Sequence, residues 1–138
     1  MCPGRIALQA KEKIRTCGSM ASDFCKEFAG DKPVTARDVC IYASSGDEVA
    51  LKILESSGRR LGMGLSILID VLNPERIVIG SIFTRCGEYL LPAAEFVIEE
   101  EVLKAARRVC SIVPASLGDA IGDYASLGVA LYALSLKK

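Results

Sequence analysis

The stretch from Asp47 to about Leu72 limits the fold most, because apolar side chains recur in it at steps of three and four residues. That spacing places them on one face of an α-helix. The members of this face are Ala50, Ile53, Leu54, Leu61, Leu65, Leu68, Ile69 and Leu72. Asn73-Pro74 then ends the helix, because a residue before proline disfavours the helical conformation. The sequence therefore predicts one long amphipathic helix that another element must cover.

Three glycines lie inside this predicted helix, at Gly58, Gly62 and Gly64. A glycine in a helix interior costs roughly 1 kcal/mol relative to alanine. Gly62-Met63-Gly64 superficially resembles a phosphate-binding loop, but such a loop follows a strand and opens a helix. Close packing by another backbone is the favoured interpretation, and a break in the helix is the alternative.

Two short strands follow the long helix. Ile77-Val78-Ile79-Gly80 is a β-branched run typical of a buried strand, and Cys110 to Pro114 forms the second. A helix is predicted between them from Glu88 to about Arg108, with Pro92 in its first turn. The order of elements implies parallel strands joined by a right-handed crossover. Because two strands make a marginal sheet, we expect further strands from another segment or another chain.

The flanking regions are less regular. Residues 6–15 predict one or two helical turns, and residues 19–28 a short helix with Met20, Phe24 and Phe28 on one face. Thr35 and Asp38 have the spacing of a capping box at the start of the next helix. A terminal helix rich in alanine and leucine is expected from Asp119 or Asp123 onward.

Charge and apolar runs exclude some functions. Lysines and arginines number 17, as do aspartates and glutamates, whereas a nucleic-acid surface is usually basic. No apolar run reaches the roughly 18–20 residues that cross a bilayer, and the N-terminus lacks the apolar core of a signal peptide. We therefore expect a cytoplasmic location, with neither nucleic acid nor membrane as a partner.

Six cysteines and no histidine are present. No pair has CxxC spacing, so a zinc site is not expected. Disulfides are possible, but free buried thiols are the commoner state in a cytosolic, helix-rich chain. The absence of histidine removes the Ser-His and Cys-His nucleophilic pairs.

The pattern from residue 35 onward resembles the ROK family of sugar kinases and sugar-responsive repressors. The resemblance rests on Gly46-Asp47, on Gly58 with Leu61-Gly62, on the run from Leu72 to Gly80, and on Leu117-Gly118-Asp119. It implies an α/β, helix-rich fold with a short parallel sheet: the C-terminal subdomain of an actin-like ATPase (ribonuclease H-like) fold. Residues 35–138 would be that subdomain, and residues 1–34 an irregular, partly helical N-terminal segment.

The resemblance also implies site residues. The family's adenosine-binding element is a strand followed by two glycines, and here Gly80 and Ser81 hold those positions. Gln9 stands where a sugar-contacting glutamate is usual, and Ala7 near where a metal-binding cysteine is usual, so no metal ligand is assigned. ATP or ADP with magnesium belongs to the parent family. No catalytic residue is assigned, because the family's aspartate base and phosphate-binding elements have no counterpart.

Three functions follow as alternatives. The first is the C-terminal part of a glucokinase-like kinase that phosphorylates a hexose, inactive in isolation. The second is the effector-binding and dimerisation lobe of a repressor, and the third is a stand-alone helical dimer. A homo-oligomer is expected in each, because the incomplete sheet and the glycine-interrupted helix leave apolar surface exposed. Sugar and nucleotide are expected only where the other lobe is present.

Overall fold

A computed structural model of the chain describes residues 3–17, 22–30, 32–80 and 82–135. These residues form two parallel strands among seven α-helices, and a short 3₁₀ turn precedes the last helix. In chain order the elements are α1 (Pro3–Cys17), α2 (Asp23–Glu27), α3 (Ala36–Ser44), α4 (Glu48–Leu72), β1 (Arg76–Ile79), α5 (Ile82–Glu101), α6 (Lys104–Val109), β2 (Ser111–Pro114) and α7 (Ile121–Ser135). The helix-rich α/β class predicted from the sequence is confirmed.

The long helix α4 has the predicted ends. Asp47 caps its N-terminus: Oδ1 accepts hydrogen bonds from the backbone N–H of Val49 at 3.0 Å and of Ala50 at 3.1 Å. Its Oδ2 accepts a bond from the N–H of Phe24 at 3.0 Å, which ties α2 to the start of α4. Asn73 closes the other end in the left-handed conformation, with φ of 43°.

These hydrogen bonds also set the charge state of Asp47. Partial burial by itself raises the pKa of this carboxyl. The bonds donated by Phe24, Ala50, Ser22 and Val49 favour the carboxylate more strongly, so the pKa of Asp47 lies below its ordinary value.

The predicted capping box of α3 is confirmed. Thr35 Oγ1 accepts a bond from the N–H of Asp38 at 3.3 Å, and Asp38 Oδ2 accepts one from the N–H of Thr35 at 2.8 Å. The Phe24 ring lies 5.2 Å from that of Phe28 and 5.4 Å from that of Tyr42, which packs α2 against α3.

Two glycines let α4 and α5 approach closely. A Cβ added at Gly58 would lie 2.5 Å from the carbonyl oxygen of Leu90, and one added at Gly62 would lie 2.5 Å from that of Ala94. Both distances are shorter than any real Cβ contact, so only glycine fits. The interpretation as helix packing is therefore confirmed for Gly58 and Gly62. Gly64 has nothing within 4 Å of its would-be Cβ and is not explained by packing.

Strands β1 and β2 pair in parallel, as predicted. The register runs from Arg76 opposite Ser111 to Ile79 opposite Pro114. A backbone bond from Ser111 N–H to Glu75 O, 2.9 Å long, continues the ladder at its start. No further strand occurs in the described ranges, so each strand keeps one edge unpaired there.

The buried apolar residues form two clusters, one along the first half of α4 and one along its second half. The larger one packs α1, α2, α3, the first half of α4 and the start of α5 together. The smaller one joins the end of α4 to α5, α6 and the strands through Leu65, Ile69, Ile98, Val102, Ala106 and Cys110. Helix α7 contributes to neither cluster, and all its residues are exposed.

Several boundaries differ from the sequence predictions. Helix α1 has 15 residues, more than the predicted turn or two. Helix α2 is shorter than predicted, and Met20 lies outside the described residues. Helix α5 begins at Ile82 because Ile82 and Phe83 are buried in the larger cluster and so order a first turn there. Pro92 consequently lies inside α5 rather than in its first turn. Its position is exposed, so the backbone bond that proline forgoes lies on the solvent side.

The expectation of free thiols is wrong for one pair. Cys40 on α3 and Cys86 on α5 form a disulfide, with their Cα atoms 6.0 Å apart. They are 46 residues apart in sequence, and only the packing of α3 beside α5 brings them together. Cys25 and Cys110 are free and buried, as expected.

Candidate ligand crevice at the strand ends

The carboxyl ends of the two parallel strands lie side by side, which is where ligands bind in open α/β sheets. Gly80 follows the last residue of β1, and Ala115 follows the last residue of β2. Ala115 N–H donates to Ile79 O at 2.9 Å, and Phe83 N–H donates to Gly80 O at 3.3 Å. These two bonds hold the turn after β1 in place from both sides.

Nothing in the described chain requires glycine at position 80. A Cβ there would meet only the Cβ of Ala115, at 3.7 Å, which is an ordinary van der Waals contact. Gly80 does not have a positive φ, so its φ gives no reason for glycine there. A ligand that approaches the backbone closely is a physical reason for glycine at such a position.

A cavity of about 660 Å³ lies between α1, α4 and β1. Its walls are mostly apolar and come from Ile6, Leu61, Leu65, Leu68 and Ile79, with Gly64 beside them. Two polar side chains meet in it, where Ser57 Oγ donates to Gln9 Oε1 at 2.7 Å. Ser57 is buried, with 2% of its surface exposed. Arg5 and Arg60 are exposed residues at the rim, and neither pairs with an acidic side chain in the described ranges.

Of the predicted ligand positions, Gln9 lies in the cavity lining and Gly80 lies just outside it. Gln9 lines the cavity, and so does Ile79, the residue before Gly80. The third predicted residue, Ser81, lies outside the described residues. Sequence reasoning missed Arg5, Ser57 and Arg60, although a signal existed. Arg5 lies four residues before Gln9, and the α4 members of the lining repeat at four-residue steps as Ser57-Leu61-Leu65 and Arg60-Gly64-Leu68.

The cavity has the chemistry of a binding site for a hydroxylated or anionic small molecule. With its oxygen engaged by Ser57, the Gln9 amide keeps its N–H groups to donate. The two guanidinium groups at the rim suit a negatively charged group. The described lining includes no carboxylate, the usual protein ligand of magnesium, so these residues do not fit a magnesium site. The described residues also contain no group of three or more potential metal-binding side chains.

Helix, strand, crossover helix and strand, with a crevice beyond the strand ends, define one subdomain of an actin-like ATPase fold, and solved structures with this architecture superpose on the chain. The sequence model of the ROK family matches residues 11–134, and the chain belongs to that family.

Similar curated proteins include both regulators and a kinase. The DNA-binding transcriptional dual regulator NagC of Escherichia coli is 38% identical over 93 residues, which are 66% of this chain and 23% of the regulator. A glucokinase of Halalkalibacterium halodurans is 38% identical over 58 residues, which are 42% of this chain and 18% of the glucokinase. The chain thus spans about a quarter or less of the length of these relatives.

Two solved structures agree with the fold. A ROK family transcriptional regulator homologous to the Mlc protein of Escherichia coli superposes with a TM-score of 0.71 and 26% identity, over 81% of this chain and 27% of that one. A protein of Cytophaga hutchinsonii assigned as a sugar kinase superposes with a TM-score of 0.75 over 93% of this chain and 41% of its own, and at 16% identity it supports the fold alone. In the described ranges no helix is both long enough and apolar enough to cross a bilayer.

Proposed function

We propose that this chain provides one side of a ligand crevice in a sugar-responsive ROK regulator, with a sugar at Gln9 and the adenosine side of a nucleotide at Gly80. The observation that carries the proposal is the open position at Gly80, where neither packing nor backbone conformation requires glycine. The Gln9–Ser57 pair in the adjoining cavity adds a polar position suited to sugar hydroxyls.

The extent of similarity favours a regulator over a kinase. The same 38% identity extends over 93 residues with the NagC regulator and with a protein named as an N-acetylglucosamine repressor, but over only 58 residues with the glucokinase. Ser81 in the second glycine position agrees with a weakened adenosine element, which a regulator tolerates more readily than a kinase.

A glucokinase-like kinase is the second candidate, and the glucokinase relative favours it. ATP with magnesium would then be the cofactor of the whole protein. Phosphoryl transfer depends on positioning phosphates, magnesium and the acceptor hydroxyl together, so we expect no transfer by this chain alone. Robust phosphorylation of glucose by the purified chain would contradict that expectation.

Calorimetric titration with ADP, and with ATP plus magnesium, tests the adenosine position. We expect weak binding that Gly80→Ala reduces by about tenfold or more, because the new Cβ occupies the space of the ligand. Gly128→Ala on α7 is the matched control, since it also adds a Cβ with nothing within 4 Å but does not line the cavity. Equal affinity of the wild-type chain and Gly80→Ala would remove the adenosine position from the proposal.

Titration with N-acetylglucosamine and with glucose separates the two candidates. The regulator predicts that N-acetylglucosamine binds more tightly and that Gln9→Leu abolishes the binding, because leucine keeps the volume but not the amide. A preference for glucose would favour the kinase. Ser57→Ala is a useful second variant, since it removes the hydroxyl that orients Gln9 and should weaken binding less.

The proposal extends to location and assembly. We also propose a cytoplasmic homo-oligomer, with no nucleic acid or membrane bound by this chain. The exposed apolar surface of α7 supports the assembly. Light scattering over a range of concentrations tests the assembly. A monomer at the highest concentration would contradict it.

A further inference from the structure

The Cys40–Cys86 disulfide joins two helices, and its two cysteines are buried to different extents. Cys40 is partly exposed on α3, whereas Cys86 is fully buried in the larger core cluster. Reduction of a disulfide begins when a thiolate attacks one of its sulfurs, so access decides which sulfur reacts. Cys40 is the more exposed of the two cysteines, so its sulfur is the expected point of attack and the buried Cys86 the expected leaving thiolate.

Cys86 lies at a break in helix α5. Its backbone has φ of −125° and ψ of 16°, outside the helical range, so the turn from Ile82 to Cys86 is separated from the rest of the helix. Beyond this break, α5 is held against α4 by the close approaches at Gly58 and Gly62. The turn before the break is attached to the core by Ile82, Phe83 and the disulfide, and Thr84 and Arg85 in the same turn make contacts of their own.

The same turn follows the crevice directly. Phe83 N–H donates to Gly80 O at 3.3 Å, so the position of the first turn of α5 and that of the loop at Gly80 are linked by a backbone bond. Release of the turn before the break would therefore affect the end of β1, whereas the α4–α5 contacts beyond the break would remain in place.

We propose that Cys40 and Cys86 form a thiol–disulfide switch, reduced by a protein dithiol, that controls attachment of the first turn of α5. This inference goes beyond the ligand proposal and needs no bound ligand. In a reducing cytoplasm, the location proposed above, persistent disulfides are rare and those that form are mostly transient or redox-sensing. A disulfide that joins a half-buried cysteine to one turn beside a helix break suits a redox-sensing role.

The reduction step balances with the dithiol as the two-electron donor. One thiolate of the dithiol attacks Cys40 Sγ, which forms a mixed disulfide and breaks the bond to Cys86, whose thiolate takes up a proton. The second thiol of the reductant loses its proton and displaces Cys40 as a thiolate, which is then protonated. The reductant leaves as a disulfide, and the chain holds two thiols.

Alkylation and hydrogen exchange on the native wild-type chain test the switch. We expect Cys40 and Cys86 to resist alkylation until thioredoxin or dithiothreitol is added, and peptide mapping should then find both labelled. Amide exchange should accelerate by about tenfold or more at residues 82–86 and stay nearly unchanged at residues 90–98, because local opening leaves the α4–α5 contacts intact. Cys110→Ser is the control, since Cys110 is buried in the other cluster without a disulfide.

Three results would overturn the switch. The first is labelling of Cys40 and Cys86 without reductant, which would mean that no disulfide forms. The second is a bond that survives excess dithiol under native conditions. The third is amide exchange that rises equally over the whole chain, because the bond would then stabilise the fold as a whole. Exchange that rises nowhere would equally overturn the switch, because reduction would then have no effect. Cys40→Ser gives a permanently reduced Cys86, and its exchange pattern should match that of the reduced wild-type chain.

Discussion

The α4–α5 seam, which is the surface where these two helices pack against each other, and helix α7 differ in how far their apolar residues are buried. In the seam, Gly58 and Gly62 bring two backbones together, and Leu90, Ala94 and Ile98 are fully buried. In α7 the apolar content is higher, yet its large residues are half exposed or more. Apolar composition alone therefore does not bury a helix, because a matching surface must also be present. The described residues provide such a surface for α5 but not for α7.

The largest expected effect separates the two regions with one substitution in each. Leu90→Ala should lower the free energy of unfolding by about 2–5 kcal/mol, because it leaves a cavity in a fully buried site. Leu131→Ala on α7 should change it by no more than about 0.5 kcal/mol, because Leu131 is 60% exposed. Urea denaturation of both variants measures the difference.

A comparable loss for both leucines would break the comparison, since it would show that α7 is covered in solution. The denaturation midpoint should then depend on protein concentration if a second copy provides the cover.

The next effect concerns the glycines of the seam. Gly62→Ala should lower stability by about 1–3 kcal/mol, because its Cβ would lie 2.5 Å from the oxygen of Ala94 and 2.9 Å from the Cβ of Val97, neither of which is a flexible side-chain end. Gly64→Ala should raise stability by up to about 1 kcal/mol, because it gains helix propensity in open space. Thermal unfolding measures whether each variant is less or more stable than the wild type. A Gly62→Ala variant that is more stable would contradict the close approach of α4 and α5 at this position.

Periodicity, capping signals and β-branched runs predicted the long helix α4, the start of α3 and the parallel strand pair. The stop of α4 at Asn73-Pro74 and the capping box at Thr35 are local patterns and are confirmed. The predicted apolar face of α4 is confirmed except at Leu68 and Leu72, which are 45% and 67% exposed because no described element covers them. The first turn of α5 was missed because Ile82 and Phe83 are ordered by tertiary contacts. The Cys40–Cys86 bond was missed for the same reason, since a separation of 46 residues has no local signature.

In the candidate site, too, residues with a local pattern or a family resemblance were predicted, and residues brought in by packing were not. Gly80 followed from its place after a β-branched strand and from the family resemblance, and Gln9 followed from the resemblance alone. Arg5 and Arg60 were not assigned to a site, because only the packing of α1 on α4 places them at the rim of one cavity.

A smaller effect tests the start of α4 through its pH dependence. Because the folded pKa of Asp47 is lowered, its contribution to stability is complete above the ordinary aspartate pKa of about 4 and is lost as the pH falls through the lower folded value. Asp47→Ala should cost about 1–2 kcal/mol at neutral pH through loss of the cap. Asp47→Asn keeps capping ability, so its stability deficit should shrink as the pH falls.

Unfolding curves from about pH 6 to about pH 2 measure that deficit. Glu48→Gln, one residue away and exposed, controls for charge near the helix terminus. A deficit of Asp47→Asn that is constant over this range would show that the carboxylate does not gain from its four donors.

The smallest effect lies at the exposed edge of the seam, where Arg59 contacts two groups. Its Nη2 lies 3.3 Å from Glu55 Oε1 one turn earlier on α4, and its guanidinium carbon lies 5.1 Å from the centre of the Phe96 ring on α5. An exposed pair of the first kind contributes about 0.3–0.5 kcal/mol and is screened by salt. The cation–π contact contributes about 0.5–1 kcal/mol at an exposed site.

Double-mutant cycles at low and high salt separate these two contacts. The coupling energy between Arg59→Ala and Phe96→Ala should be the same at high salt, whereas the coupling energy between Arg59→Ala and Glu55→Ala should mostly disappear. If both couplings vanish, α4 and α5 are held together by their buried contacts alone, and burial is then the whole difference between the seam and α7.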